Sequence, residues 1–478
     1  MVTLHEKIDV ARPVQEVFRY IADFRTTEEW DSTAIAARKL TPGPVAAGTR
    51  FEVVCSQPLG TVTLEYTLTR LEQDQSITLQ GSNRFFTVDD EIHLSETATG
   101  TRIDYRAAIH LKAPLKALES KFRSGLEKMG YESVQGLKRA LDDEFSAPEI
   151  SNANRRAEKL LLPALWSFTR SGYRRGRKHW LPMSRSMVDK HIVITGASSG
   201  LGLASAYRLA ETGAELTLVI RDESKALDLK QGIERETGNS RIHIEIADLS
   251  LMVEVDRLVR RLHRVGKPID VLINNAGALF NPRQETSEGL EQSFALLLLS
   301  PYRLTTGLKP LLASAHEARV INVVSGGMYS QALNVDQLEA AEQGYSGSVA
   351  YARAKRALMV VTEEWASDWA AEGIVVNAMH PGWAATPGVE SSLPLFHKLT
   401  RSVLRTPAQG ADTIVWLAIA TEAGKTSGKL FLDREPRTTH LLSSTVEPLE
   451  QREKLISSLD HYQPSHPSNI DQGSSVAC

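Results

Sequence analysis

Apolar and polar residues alternate in short segments from Thr3 to about Lys112, as in TVTLEYTL (61–68) and IDYR (103–106). A period of two is typical of antiparallel β-strands with one buried and one solvent-exposed face. After Pro114 the apolar residues recur at intervals of three and four: Leu115, Leu118, Phe122, Leu126, Val134, Leu137 and Leu141. That spacing predicts one long helix lying on the sheet, so we expect an α+β unit over residues 1–146.

The pattern changes again from Lys190 onward, where apolar strands alternate with helical segments. The strands are HIVITGA, ELTLVI, RIHIEIADLS and IDVLINNAG. Continuous apolar strands separated by helices predict a parallel sheet that is covered on both faces, and we expect it to span residues 188–447. Residues 448–478 end in a polar stretch rich in Ser and Pro and are expected to be disordered.

A basic connector, residues 147–187, separates the two units. It contains only two acids, Glu149 and Glu158, and nine basic residues: Arg155, Arg156, Lys159, Arg170, Arg174, Arg175, Arg177, Lys178 and Arg185. Basic residues interleaved with aromatic ones over 155–180 suit peripheral contact with an anionic membrane. A linker helix packed on the second unit explains the same pattern and is preferred.

Composition narrows the class of protein. A length of 478 residues predicts two domains, and a net charge of -3 argues against nucleic acid as a partner. Only Cys55 and Cys478 are cysteines, the first residues have no apolar signal core, and no window is apolar enough to span a membrane. These observations predict a cytoplasmic protein, and no spacing of residues suggests a metal site.

Glycines mark the turn between the first strand and the first helix of the second unit. In TGASSGLG, Gly196, Gly200 and Gly202 allow a tight turn and a close approach of the backbone to a phosphate, beside the N-terminus of a helix. The next strand ends at Ile220, where NAD-selective sheets carry an acid, and Arg221 follows. An arginine there can pair with a 2'-phosphate. We therefore expect NADP(H) rather than NAD(H), held by Arg221 with help from Ser199; the alternative is that Asp222 binds the ribose.

Tyr351 and Lys355 are four residues apart, which places a phenol and an ammonium on one face of a helix. A nearby cation favours the phenolate, so Tyr351 could transfer protons beside a nicotinamide.

These motifs and others, in this order, resemble the short-chain dehydrogenase/reductase family from about Leu162 to Glu447. The others are ADLS, NNAG, VVSGG and HPGWAAT. The resemblance implies catalytic roles for Ser325, Tyr351 and Lys355. It implies cofactor binding by Thr195, Gly196, Ser198, Ser199, Gly200, Leu201, Gly202, Arg221, Asp248, Leu249, Asn275, Ala276, Gly277, Tyr351, Lys355, Pro381, Gly382 and Thr386.

One position departs from the family pattern. Where members carry a helical asparagine whose carbonyl orders a water next to the lysine, this chain has Leu297. Pro301, four residues later, lacks the N–H that would bond the carbonyl of Leu297. Our hypothesis is that the freed carbonyl keeps this role; the alternative is an impaired enzyme.

The first unit resembles the SRPBCC superfamily of polyketide cyclases and START-like lipid carriers. The resemblance lies in KIDVARPVQEVFRYIADFRTTEEWD, in GPVAAGTRFEV and in the closing helix. It implies a helix-grip fold with an apolar cavity, joined here to a Rossmann-type doubly wound sheet. No acid–base pair suggests chemistry in this unit, and His5, His93 and His110 are interpreted as structural.

Together these features predict an NADP(H)-dependent oxidoreductase for a lipophilic alcohol or carbonyl compound, with an apolar ligand in the first unit. Residues 387–405, which include Leu393, Leu395 and Phe396, are expected to form an apolar wall over the substrate. Two alternatives are a non-catalytic lipid-binding or cofactor-sensing protein and a bifunctional cyclase-reductase. By resemblance, a homodimer or homotetramer would form through 296–299 and 351–365.

Overall fold

The computed structural model describes residues 1–31, 33–57, 60–113, 119–142, 147–177, 180, 187–385, 400 and 403–462. Thr386, Leu393, Leu395 and Phe396 lie outside them, so the predictions for these residues stay predictions. The described residues form two β-sheets, each with its own apolar core.

The first sheet is antiparallel and has seven strands in the order β1-β7-β6-β5-β4-β3-β2. The strands are β1 (Val2–Val10), β2 (Ala34–Lys39), β3 (Arg50–Gln57), β4 (Gly60–Glu72), β5 (Ser76–Ser82), β6 (Phe86–Thr97) and β7 (Gly100–Leu111). Register shifts between Ala34 and Ala36 and between Leu68 and Arg70 interrupt the pairing. Bulges of this kind bend a sheet, which gives this one a concave face.

Helices cover the concave face: α1 (Val14–Ala22), α2 (Thr27–Trp30) and the long α3 (Glu119–Asp142). From α3, Val134, Leu137 and Leu141 are buried against alternate residues of the strands, such as Leu68 and Ile92. The predicted α+β fold, with a helix gripped by a sheet, is therefore confirmed. Leu115, Leu118 and the side chain of Phe122 lie outside the described part.

The second sheet has eight strands in the order β10-β9-β8-β11-β12-β13-β14-β15. The strands are β8 (His191–Thr195), β9 (Glu215–Ile220), β10 (Ile242–Ile246), β11 (Val271–Asn274), β12 (Arg319–Val323), β13 (Val375–Met379), β14 (Leu430–Leu432) and β15 (Glu435–Arg437). All neighbouring strands are parallel except β14 and β15. The order reverses beside β8, so the predicted doubly wound sheet is confirmed, and ligands bind such sheets at the reversal.

Helices lie on both faces of this sheet. They are α7 (Gly200–Glu211), α8 (Ala226–Thr237), α9 (Met252–Val265), α10 (Gln292–Phe294), α11 (Ser300–Ala313), α12 (Gly347–Asp368) and α13 (Pro407–Ile419). Among the helices that the structure describes, none combines the length and the apolarity that crossing a bilayer requires.

The connector forms helices α4 (Asn152–Ala157), α5 (Leu161–Trp166) and α6 (Arg170–Arg177), which contact the second sheet. The backbone N–H of Ser151 donates to Glu435 at 3.0 Å. Phe168 and Tyr173 are buried, whereas Trp166 is exposed. These contacts match the interpretation of a linker packed on the second unit.

A buried arginine holds the connector in place. Arg405, 1% exposed, pairs with Asp433 through two hydrogen bonds of 2.5 and 2.8 Å. Its remaining donors reach the main-chain carbonyls of Ser167 and Phe168 at 2.6 and 3.0 Å. The guanidinium therefore joins the connector to the turn between β14 and β15.

The prediction of a disordered segment from residue 448 is wrong for its first part, because helix α14 (Leu449–His461) forms there. Leu455 and Leu459 are buried in the core of the second unit. Tyr302 donates to Asp460 at 2.7 Å, and Arg452 pairs with Glu363 and Glu364 of α12. Two apolar residues four apart provide enough burial to order a segment whose average composition is polar.

Candidate active site

The glycine turn after β8 is shaped for close backbone approach. Gly196 and Gly200 have positive φ angles of 67° and 55°, a conformation that favours glycine. A Cβ added at Gly202 would lie 2.2 Å from the carbonyl oxygen of Gly196. Helix α7 begins at Gly200, and the side chain of Ser199 makes no capping hydrogen bond. The first N–H groups of α7 can therefore bind an anion such as a pyrophosphate. Ser198 and Leu201 lie half-buried beside the turn.

The NNAG segment is fastened to this turn. Thr195 Oγ1 accepts the N–H groups of Asn275 and Ala276, both at 3.0 Å. The amide of Asn275 donates to the carbonyls of Thr195 and Gly196 at 2.9 and 3.2 Å. Gly277 follows, where an added Cβ would lie 3.9 Å from Lys355 Nζ. The predicted cofactor residues of β8 and β11 are thus brought together.

The end of β9 presents Arg221 to solvent next to the buried Ile220. The carboxylate of Asp222 accepts from Ser224 N and Ser224 Oγ at 3.1 and 2.6 Å and pairs with Lys225. These bonds lower the pKa of Asp222, the hydroxyl bond of Ser224 contributing most. Asp222 is therefore already engaged in its own turn.

Further predicted cofactor residues surround the same edge. Asp248 accepts from Ser250 N and Ser250 Oγ at 2.9 and 2.7 Å, and Leu249 is buried. Pro381 and Gly382 follow β13, and Gly382 has a positive φ of 68°. The glycine cradle, the uncapped helix and these loops together fit a dinucleotide.

The structure brings Ser325, Tyr351 and Lys355 together at the ends of β12 and α12. Ser325 Oγ accepts from Gly327 N at 3.2 Å, and its hydroxyl is near enough to Tyr351 to lower the pKa of that phenol. Lys355, 3% exposed, donates to the carbonyl oxygen of Val323 at 2.8 Å and lies 6.0 Å from the centre of the Tyr351 ring. The expected constellation therefore has the geometry for proton transfer.

The electrostatics differ from the expectation that Lys355 favours the phenolate of Tyr351. Burial raises the pKa of Tyr351, and the hydrogen bond from Ser325 only partly offsets this. Burial also lowers the pKa of Lys355 to about 7. Desolvation of both groups thus outweighs their mutual attraction in the protein alone.

Leu297 lies in a π-helical turn, Ala295–Leu299, between α10 and α11. Its side chain is fully buried, and the N–H of Ser300 bonds the carbonyl of Ala295, five residues back. Next to this turn is a small pocket of about 240 Å³, including the part open to solvent, lined by Lys355, Asn274, Ser300 and Pro301 among others. The segment that lacks the asparagine therefore lies beside Lys355.

Phe168 of the connector is a site-adjacent residue that sequence reasoning missed. Its ring lies 4.6 Å from that of His380 and 6.0 Å from that of Trp383, centre to centre. A Cβ added at Gly326, next to Ser325, would be 2.9 Å from the Phe168 ring. Aromatic residues in the connector were the only signal, because the contact joins segments about 150 residues apart in the sequence.

The first unit contains a buried acid–tyrosine pair, contrary to our expectation that none suggests chemistry there. The hydroxyl of Tyr105 donates to Asp90 Oδ1 at 3.0 Å inside a cavity between the sheet and α3. Burial raises the pKa of Asp90 to about 7. The available signal was a polar residue at an inward position of β6, between the buried Val88 and Ile92.

The described residues include no group of three or more His, Cys, Asp or Glu side chains placed to hold a metal ion.

Comparison with known proteins gives two family models, one matching each of the two units. A family model described as short chain dehydrogenase matches residues 190–394. Another, described as polyketide cyclase / dehydrase and lipid transport, matches residues 1–142.

Three relatives illustrate the match. Dehydrogenase/reductase SDR family member 12 of Bos taurus is 42% identical over 300 residues, which cover 62% of this chain and 94% of that protein. Polyprenol dehydrogenase of Homo sapiens is 31% identical over 271 residues, covering 54% and 82%. Retinol dehydrogenase 14 of Homo sapiens is 32% identical over 267 residues, covering 52% and 79%. A solved structure of L-sorbose reductase from Gluconobacter frateurii with NADPH and L-sorbose is 23% identical, has a TM-score of 0.43 and covers 52% of this chain and 96% of that chain.

Proposed function

This chain belongs to the short-chain dehydrogenase/reductase family, and from that premise we propose that it interconverts a lipophilic alcohol and the corresponding carbonyl compound with NADP(H), while its first unit holds an apolar ligand. The observation that carries the proposal is the meeting of Ser325, Tyr351 and Lys355 beside the glycine cradle.

Each of the three side chains has a role in this proposal. Bound NADP(H) would supply or accept the hydride. Ser325 holds the substrate oxygen, and Tyr351 gives its proton to that oxygen during reduction and takes it back during oxidation. Lys355 donates to the carbonyl of Val323, and in this proposal its charge favours the phenolate only together with the positive charge of bound NADP⁺, because burial opposes both charged forms in the protein alone. Our hypothesis remains that the carbonyl of Leu297 holds a water that links Lys355 to solvent, and Lys355 lines a pocket together with the neighbouring Leu296.

The preference for NADP(H) over NAD(H) is supported by two neighbouring residues. Arg221 is exposed at the end of β9, where it can pair with a 2'-phosphate. Asp222, the alternative partner for a ribose, uses its carboxylate within its own turn. We expect Arg221→Asp to raise the KM for NADPH at least about tenfold and to change the KM for NADH much less. Equal changes for both cofactors would contradict the preference.

The lipophilic nature of the substrate is supported by the relatives, two of which are named for retinol and for polyprenol. It is also supported by the cavity in the first unit, because joining two sites in one chain raises the local concentration of a shared ligand.

The test is a panel of retinoid, isoprenoid and short polar alcohols and ketones assayed with NADP(H). Turnover of apolar members and a loss of at least about a hundredfold in Tyr351→Phe support the proposal. Full activity of Tyr351→Phe on an accepted substrate would refute it.

A cofactor-sensing protein without turnover is the second candidate, favoured by Leu297 at the usual asparagine position. Tight NADPH binding with no activity on any member of the panel would identify it.

We further propose a cytoplasmic location with peripheral membrane contact through the exposed Leu160 and Trp166 and the basic residues beside them. Binding of the protein to vesicles of anionic lipid tests this contact.

A further inference from the structure

The cavity of the first unit has apolar walls and one polar end. It measures about 880 Å³, including the part open to solvent, and lies between the concave face of the sheet and α3. Leu4, Val53, Leu64, Phe86, Val88 and Ile109 belong to its walls. A cavity of this size and lining suits a small apolar molecule.

Asp90 forms the polar end. It is 3% exposed, and the hydroxyl of Tyr105 donates to its Oδ1 at 3.0 Å. Its other oxygen, Oδ2, is buried and has no hydrogen-bond partner in the described part of the protein. A buried polar atom without a partner is costly. Because Asp90 lines the cavity, a ligand that reaches this oxygen would supply the missing partner.

The second carboxyl of the cavity is different. Asp31 Oδ1 accepts the N–H and the hydroxyl of Thr33, both at 2.8 Å. Asp31 thus serves the turn that follows α2. A third lining carboxyl, Glu127, is exposed on α3. Of the carboxyls that line the cavity, Asp90 is the one with a fully buried oxygen that has no hydrogen-bond partner among the described residues.

No Lys, Arg or His is among the described residues that line the cavity. Burial is the main cause that raises the pKa of Asp90 to about 7; the hydrogen bond of Tyr105 opposes this shift, and the charges of Asp89 and Asp31 contribute to it. An Asp90 without a cation is partly protonated near neutrality, so its Oδ2 can donate as well as accept a hydrogen bond. A neutral hydroxyl or carbonyl group is the partner that matches both capacities.

We propose that the cavity binds an apolar molecule that carries one hydroxyl or carbonyl group, and that Asp90 Oδ2 hydrogen-bonds this group. The inference rests on the proposed role of the first unit in holding an apolar ligand. It adds the chemical class of the ligand and the residue that recognises it. The same functional groups are those that the second unit is proposed to interconvert.

The experiment uses the full chain and four probes on one carbon frame: methylnaphthalene, naphthylmethanol, acetylnaphthalene and naphthylmethylamine. Each probe displaces the fluorescent reporter N-phenyl-naphthylamine, and the displacement constants are compared. We expect the alcohol and the ketone to bind about tenfold more tightly than methylnaphthalene, which is the effect of one well-formed hydrogen bond.

Three variants locate this preference. Asp90→Leu should reduce it below about threefold while methylnaphthalene still binds, because an apolar side chain of similar size fills the site. Asp90→Asn, which keeps a donor and an acceptor, should retain it. Asp89→Leu is the matched control, since Asp89 is the neighbouring residue and faces outward to Gln80 and His110.

The outcomes separate the two proposals. If methylnaphthalene fails to displace the reporter from the wild type, the ligand-holding role of the first unit is refuted. If all probes bind equally, or if Asp90→Leu keeps the preference, only the role of Asp90 is refuted. Tightest binding of the amine, lost in Asp90→Asn, would show an ionised cation site and overturn the inference. Unchanged thermal midpoints of the variants exclude misfolding as the cause.

Discussion

At Leu297, in the π-helical turn, the proposed chemistry depends on the main-chain carbonyl and not on the side chain. Pro301 provides no N–H for the carbonyl of Leu297, and the π-helical turn widens the helix at that point. A carbonyl released from helix pairing can still accept a hydrogen bond, so the loss of the asparagine amide need not interrupt a proton path to Lys355.

Leu297→Asn tests this point. We expect turnover to change by less than about tenfold, because the main-chain carbonyl at this position would already hold the water next to Lys355. Pro301→Ala, which restores the N–H, should lower turnover several-fold, and adding Leu297→Asn to it should recover part of the loss. Steady-state kinetics on an accepted substrate measure all three, and a gain far above tenfold in Leu297→Asn would identify an impaired enzyme.

The buried carboxyl of Asp90 makes the stability of the first unit depend on pH. Its pKa is raised by burial to about 7 in the folded protein, against about 3.9 in an unfolded chain. Between these values the folded state binds more protons, so the free energy of unfolding contributed by Asp90 falls as the pH rises from about 4 to about 7. Asp90→Asn should remove this decline.

Urea denaturation of both proteins at pH 5 and pH 7 measures the effect. Asp89→Asn, next to Asp90 but on the outer face, should keep the wild-type difference. An identical pH dependence in wild type and Asp90→Asn would show that the buried carboxyl is not the cause.

At the scale of single residues, local spacing made Tyr351, Lys355 and the glycines predictable, because each motif lies within one turn or one helix. Asp90 and Tyr105 became a pair only through the pairing of β6 with β7, in which Asp90 lies opposite Ala107. Register of this kind is set by the whole sheet. The sequence shows the inward position of Asp90 but not the hydroxyl that it meets.

Among the secondary structure elements, the connector depends on Arg405. Its guanidinium is buried with Asp433 and with the carbonyls of Ser167 and Phe168. Removing one partner leaves the other charge buried and unpaired, so Arg405→Met should lower the free energy of unfolding by about 3–5 kcal/mol. Guanidinium denaturation measures the loss.

The double variant Arg405→Met/Asp433→Leu is the control for this prediction. It removes both charges, and we expect it to recover part of the lost stability. A double variant that is less stable than Arg405→Met alone would show that the ion pair itself is not the cause.

Helix α14 contacts α12, which includes residues 351–365 of the implied pairing surface, and α11, which follows residues 296–299 of that surface. Tyr302 of α11 and Glu363 and Glu364 of α12 all bond to it or to its end. With this surface occupied within one chain, we expect a monomer by light scattering. Leu455→Asp/Leu459→Asp, which weakens the burial of α14, should favour association; a wild-type dimer would contradict this expectation.

The order of α14 could not be predicted from average composition. Residues 462–478 make the average composition of the segment polar, whereas the side chains that become buried in α14 are Leu455 and Leu459. Whether such a helix forms depends on a receiving surface, here made by α11 and α12, and that surface exists only after the second sheet has folded.

For the molecule as a whole, the core of the first sheet is separate from the two core clusters of the second sheet, which predicts two thermal transitions. Leu68→Ala, in the core of the first sheet, should lower the midpoint of one transition only. The expected loss in the free energy of unfolding of that unit is roughly 2–5 kcal/mol, as for other core cavities of this kind. NADPH should raise only the other transition, because a ligand stabilises the state to which it binds. Differential scanning calorimetry distinguishes this from a single shared transition.

The place of Phe168 has a practical consequence for anyone who divides this protein. A fragment cut at residue 188, where the strand and helix pattern starts, would lose the ring packed on Gly326 and the two carbonyls that accept hydrogen bonds from the buried Arg405. Truncation at residue 147 keeps both. Recombinant expression of the reductase half alone should therefore give soluble, active material only from the longer version.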